Sequence, residues 1–109
     1  MEKVLYLVLK NSKKTFDVLE ELKDQGFNGT VIGSNSLRHT MNAFPEEHHF
    51  LSLRHLEDVD VSESVLCMFV WKEEVIEVIK NEIRRLTHDF KDIRGFMFSL
   101  PLNDFEGCC

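Results

Sequence analysis

Cysteine is too scarce in this chain for a disulfide framework: Cys67 falls in an apolar segment, and Cys108 and Cys109 are neighbours in the tail, residues 103–109. That usage suits a reducing cytosol, so the cytoplasm is the expected compartment. Long hydrophobic runs are missing too. None approaches the ~20 residues that cross a bilayer, which argues against an integral membrane protein. A surplus of positive charge is also lacking. The formal net charge is −6, whereas contact with phosphate backbones needs clustered Lys and Arg, so a nucleic-acid partner is not expected. A local basic pocket for a small anion is compatible with that charge. The chain is also too short for a second core, since it buries only about two-thirds of the surface it exposes when unfolded. A single domain over residues 1–109 is expected.

What is present reads as regular elements. The opening "MEKVLYLVLKNSKK" has an apolar run, but Glu2 precedes it and no small-residue cleavage site follows, so it reads as a strand over residues 4–9 rather than a signal peptide. Asn11 or Ser12 can cap a following helix. In that helix Phe16, Leu19 and Leu22, with Val18 beside them, share a face; Lys13, Asp17, Glu20 and Asp24 face water, and Gly26 supplies the stop. Strands are predicted over 28–35, "NGTVIGSN", and 64–71, "SVLCMFVW". A second helix follows, with Val75, Ile76, Ile79, Ile83 and Leu86 at helical spacing. Glu73 and Glu74 stand near its positive end, and Arg84, Arg85 and His88 toward the other. A last strand, residues 95–102, places Pro101 at an edge or end.

The order implies an α+β fold of the split βαβ, ferredoxin-like type: an antiparallel βαββαβ sheet with two helices on one face and a long loop between strands 2 and 3. Alternation adds a further expectation. Val4, Tyr6 and Val8 oppose Leu5, Leu7 and Leu9, and Val65, Cys67 and Phe69 oppose Leu66, Met68 and Val70, so both sheet faces are apolar. Two helices cover one face only. The other is expected to meet a second subunit, which predicts an obligate homo-oligomer.

Residues 34–63 stand where a hairpin would ordinarily use two to five residues. Leu37, Met41 and Phe44 have the spacing of a short amphipathic helix, capped by Ser34 or Ser36 and ended before Pro45; "EDVDVSES" is acidic and turn-like. Such a connection either carries function or covers a sheet edge.

From "EELKDQGFNGTVIGSNS" through the insertion to "VIEVIKNEI" and "RGFMFSLPL", the chain resembles the PII signal-transduction superfamily. Gly26, Phe27, Gly29 and Val31 match the step from first helix into second strand, and Gly95, Phe98, Pro101 and Leu102 match the final strand. The resemblance implies a homotrimer of ferredoxin-like subunits, with a small-molecule effector, an anion or nucleotide, in the cleft between subunits. It also implies a long T-loop, here residues 34–63, that reaches a protein partner such as a transporter or enzyme. Gly29, Thr30, Ser34, Asn35, Ser36, Leu37 and Arg38 from one side, and Lys91, Arg94 and Gly95 from the other, would line the ligand site. Where the family has Gly-rich phosphate loops this chain has "SNSLRHTMN" and "THDFKDIRG", which leaves Arg38 and Lys91 or Arg94 as the cations. Triphosphate binding should therefore be weak. The insertion has no Tyr to uridylylate. "NSLR", Asn35 to Arg38, also keeps the end of the loop-base motif of cyclic-di-AMP receptors.

Other chemistries are weaker in the residues. His39, His48, His49 and His55, with Glu46 and Glu47, could ligate zinc or copper, as in a trimeric CutA-like metal-binding protein, or they are solvated loop histidines that make the loop pH-sensitive. Cys108 and Cys109 could pair between subunits, bind a soft metal or simply fray; Cys67 reads as a small buried hydrophobe. A small enzyme is the remaining alternative, but Glu57, Asp58 and Asp60 stand in an acidic loop with no apolar pocket to shift a pKa, and "LKNSKKTF" is not a phosphate loop. A non-enzymatic regulator without a bound cofactor is expected.

Overall fold

In the computed structural model, which describes residues 1–43 and 62–107, the chain has an α+β fold whose described residues form one four-stranded antiparallel sheet and three helices. The strands are β1 (Glu2–Lys10), β2 (Thr30–Ser34), β3 (Ser64–Lys72) and β4 (Gly95–Pro101). The helices are α1 (Lys13–Asp24), α2 (Leu37–Ala43) and α3 (Glu73–Thr87). The strands lie in the order β2-β3-β1-β4, so the two longest are central. This agrees with a ferredoxin-like class and departs from the expected βαββαβ in that, among the described residues, a further helix, α2, stands between β2 and β3. No helix among the described residues is long and apolar enough to cross a membrane.

Local chemistry explains the boundaries. Of the two capping candidates Ser12 is the one used, its hydroxyl accepting from Thr15 N–H at 3.3 Å. Asn11 instead ties β1 to the chain entering β3, donating through its side chain to Ser62 O at 2.9 Å and through its backbone to Glu63 O at 3.0 Å. At the other end of α1, Phe27 N–H bonds Leu22 O and Gly26 N–H bonds Lys23 O. That pair of bonds makes a Schellman stop, with Gly26 at φ +91° where only glycine sits without strain.

The core lies between the helices and one sheet face. Leu5, Leu7, Leu9, Val65, Cys67 and Phe69 from the sheet meet Val18 and Leu22 of α1 and Ile76, Ile79 and Ile83 of α3. The expected face of α1 needs a correction. Phe16 is 45% exposed, and Thr15 is buried in its place because positions 15, 18 and 22 face the sheet; its hydroxyl donates to Lys10 O, so no polar group is orphaned. Strand β2 is also shorter than expected. Asn28 and Gly29 precede it and Asn35 follows it, and Asn28 O accepts from the Trp71 indole at 3.0 Å.

Among the described residues no helix lies on the opposite sheet face. Phe96, Phe98 and Leu100 of β4 are about half exposed, and a file of rings crosses from β4 to β1: Phe96 lies 6.4 Å from Phe98, and Phe98 lies 5.0 Å from Tyr6. The turn after α3 is left-handed at His88, Asp89 and Phe90, φ +52° to +63°, and Thr87 braces it by donating to Ile83 O and accepting from Phe90 N–H.

Candidate ligand groove

Four chain segments converge at one end of the sheet. Antiparallel pairing sets Lys10 opposite Ser64, Ser34 opposite Ser64, Leu9 opposite Gly95 and Val8 opposite Phe96. The end of β1 and the end of β2 therefore meet the beginnings of β3 and β4. Lys10 N–H bonds Arg94 O at 2.8 Å, which fixes the approach to β4. Gly95 permits close contact there: a Cβ on it would lie 2.1 Å from Val8 O.

The result is an open groove of about 920 Å³, lined by Val8, Lys10, Ser34, Asn35, Ser36, Arg38, Glu63, Ser64, Arg94, Gly95 and Phe96. Its chemistry is uneven. Among the described residues Lys10, Arg38 and Arg94 supply three cations against the single carboxylate of Glu63, inside a chain whose formal net charge is −6. Among the described residues no ion pair engages any of those three cations. Ser34, Ser36 and Ser64 add hydroxyls, while Val8 and Phe96 make an apolar part of the lining.

Glu63 organises the base of the insertion. Its carboxylate accepts from Ser36 N–H at 3.1 Å and from the Ser36 hydroxyl at 3.5 Å, and its own N–H donates to Asn35 Oδ1 at 2.7 Å. The Ser36 hydroxyl also caps α2 by accepting from His39 N–H at 3.1 Å, which settles the choice between Ser34 and Ser36. The bond from Ser36 N–H holds the Glu63 carboxyl below its ordinary value; burial opposes this, and the Ser36 hydroxyl and the charges of His39 and Arg94 assist it. His39 Nδ1 stands 3.7 Å from the carboxylate. Ser34 and Ser64 join across the strands, Oγ to Oγ at 2.9 Å.

Of the ten residues expected to line a ligand site, Ser34, Asn35, Ser36, Arg38, Arg94 and Gly95 line this groove. The other four do not. Thr30 pairs with Met68 near the far end of β2, and Gly29, beside it, packs its backbone so closely on Met68 O that a Cβ would lie 2.6 Å away. Leu37 is 79% exposed, so the predicted apolar face of the short helix turns outward with Met41. Lys91 bonds through its backbone to Thr87 O and His88 O in the left-handed turn, away from the lining. Val8, Lys10, Glu63, Ser64 and Phe96 were not anticipated. Lys10, a cation closing an apolar run, and Glu63, an acid just before one, are the signals that mark strand ends in the sequence.

Most of the metal and redox candidates lie outside the described residues: Glu46, Glu47, His48, His49, His55, Cys108 and Cys109, as do Phe44, Glu57, Asp58 and Asp60. Among the described residues no cluster of His, Cys, Asp and Glu could hold a metal ion. Cys67 is fully buried, and burial pushes its thiol up to about 12, as suits a packing residue rather than a nucleophile.

No family model matches the chain, and no curated protein matches it. A solved structure of a functionally unknown protein from Pediococcus pentosaceus ATCC 25745 is similar, with a TM-score of 0.60 and 15% identity over 99% of each chain. At that identity the likeness is one of fold alone.

Proposed function

We propose that this chain is a non-enzymatic, PII-like regulatory protein of the cytoplasm. It works as a homotrimer, takes a small anion or nucleotide in the groove at the sheet end, and acts on a protein partner, such as a transporter or enzyme, through residues 34–63. On this reading the fold is the ferredoxin-like βαββαβ plan with α2 as part of the insertion. The observation that carries the reading is the groove itself: Lys10, Arg38 and Arg94 gather beside the two ends of the insertion in an otherwise acidic chain. A ligand bound there would act directly on Ser36 and Glu63, the residues that tie those ends together.

The apolar face on which no described helix lies supports self-association. Phe96, Phe98 and Leu100 together with Ile32 form an exposed apolar area on one side of the sheet, and such areas on soluble proteins commonly mark interfaces. Sedimentation at micromolar concentration should give three chain masses; a single chain mass would contradict the assembly. Thermal-shift measurements with adenine nucleotides, cyclic dinucleotides, bicarbonate and divalent metals test the ligand. An anion should stabilise the protein, and the Arg38→Met, Arg94→Met double variant should lose that response. Stabilisation by a metal alone, unchanged in that variant, would replace the regulatory reading with the metal-binding one.

A further inference from the structure

We propose that the groove takes a small organic dianion with a planar apolar body, and that its charged head displaces the Glu63 carboxylate from Ser36. The inference rests on the reading of the groove as a ligand site and adds to it the ligand's chemistry and the first event of binding. Three features carry it. Among the described residues the lining holds Lys10, Arg38 and Arg94 against one acid, a surplus of two positive charges that a dianion balances and a monoanion does not. The acid in that described lining is already bound as an anionic ligand would be: Glu63 takes the Ser36 N–H and hydroxyl, within reach of the field of Arg94. Phe96 closes the apolar side, 55% exposed, with its ring stacked on Phe98 on one side only among the described residues, so a planar group can stack against it.

The consequence is a coupling. Glu63 and Ser36 sit at the two ends of the insertion, and their contact, with that from Glu63 N–H to Asn35 Oδ1, holds those ends together. A bound dianion repels the Glu63 carboxylate while offering Ser36 a replacement acceptor. One of the ties between the two ends is therefore exchanged for a tie to the ligand.

The test is titration calorimetry of the full chain with phenyl phosphate, benzoate and inorganic phosphate, on the natural sequence and on Glu63→Gln and Arg94→Met. Phenyl phosphate should bind tightest. Glu63→Gln, which keeps an amide oxygen for Ser36 but removes the competing charge, should tighten it by roughly tenfold, and Arg94→Met should weaken it by roughly tenfold. In the natural protein the Ser36 amide resonance should shift on binding, a readout that holds even where a variant folds poorly. Phenyl phosphate binding that weakens in Arg94→Met but is no tighter in Glu63→Gln, with an unmoved Ser36 amide, would overturn the displacement and leave the groove reading standing. Inorganic phosphate binding as well as phenyl phosphate would overturn the planar body. Failure of all three probes to bind at millimolar concentration would overturn the inference and the groove reading together.

Discussion

The two faces of the sheet are both apolar in sequence and are covered unequally in the structure. Leu5, Leu7 and Leu9 on one side of β1 are wholly buried beneath α1 and α3, whereas on the other side β4 leaves Phe96, Phe98 and Leu100 about half exposed. The difference teaches that hydrophobic content selects which residues want cover, and the positions of the helices decide which receive it within the chain. The side left over must find cover elsewhere or remain wet, at roughly 25 cal/mol per Å² of apolar area.

The sharpest test of that contrast pairs one substitution from each face. Leu7→Ala empties a fully buried site and should lower unfolding stability by about 2–5 kcal/mol in urea denaturation. Phe98→Ser, on the uncovered face, should cost the isolated chain less than about 1 kcal/mol while lowering the mass seen in sedimentation. Equal losses of stability with no change in mass would erase the distinction between the faces.

The edge that joins the two faces comes next. Gly95→Ala places a methyl group 2.1 Å from Val8 O, a backbone atom that cannot turn aside, so β4 must move off β1. A loss of about 1–3 kcal/mol is expected, with changes in the amide spectrum of Lys10 and Arg94 at the groove. A smaller effect belongs to the helix that covers the core face. Ser12→Ala removes the cap of α1 and should cost about 1 kcal/mol; no change in the denaturation midpoint would mean that Thr15 holds the turn without it.

The smallest effect lies on the outer surface of the helix layer. Glu82 accepts from Arg85 at 2.9 and 3.0 Å and from Gln25 at 2.7 Å, and these bonds lower its carboxyl to about 2. A lowered folded-state pKa means that the contribution is present above the ordinary value of 4.5 and is lost as pH falls toward 2. Glu82 is half-buried, but its partner Arg85 is exposed and solvent screens the pair, so the gain is slight. Glu82→Gln should therefore unfold marginally earlier than the natural chain at pH 6, with the gap closing by pH 2; a gap that widened in acid would reverse the assignment.

Much of this was legible beforehand because it depends on neighbours in sequence. The alternation of β1 and β3, the 3.6-residue spacing of Ile76, Ile79 and Ile83, a cap at Asn11 or Ser12 and the Gly26 stop are short-range effects, and each appears where its pattern put it, with Ser12 as the cap used. The face of α1 was misjudged because Phe16 looked more buriable than Thr15, yet a Thr whose hydroxyl reaches Lys10 O can be buried without loss. The groove was half legible. Arg38 and Arg94 were expected from the family resemblance, together with Lys91, which does not line the groove, whereas Lys10 and Glu63 join them only through the pairing of β1 with β3 and β4.

The sequence by itself determined the element types, the two apolar faces, the acidic balance with its few clustered cations and the long insertion between the second and third strands. Those properties follow from local propensity, periodicity and composition, which require no partner segment. Tertiary structure alone decided which apolar face the helices cover and which cations share one end of the sheet. Both depend on strand order and register, which bring Lys10, Ser34, Glu63 and Arg94 together from four separate parts of the chain.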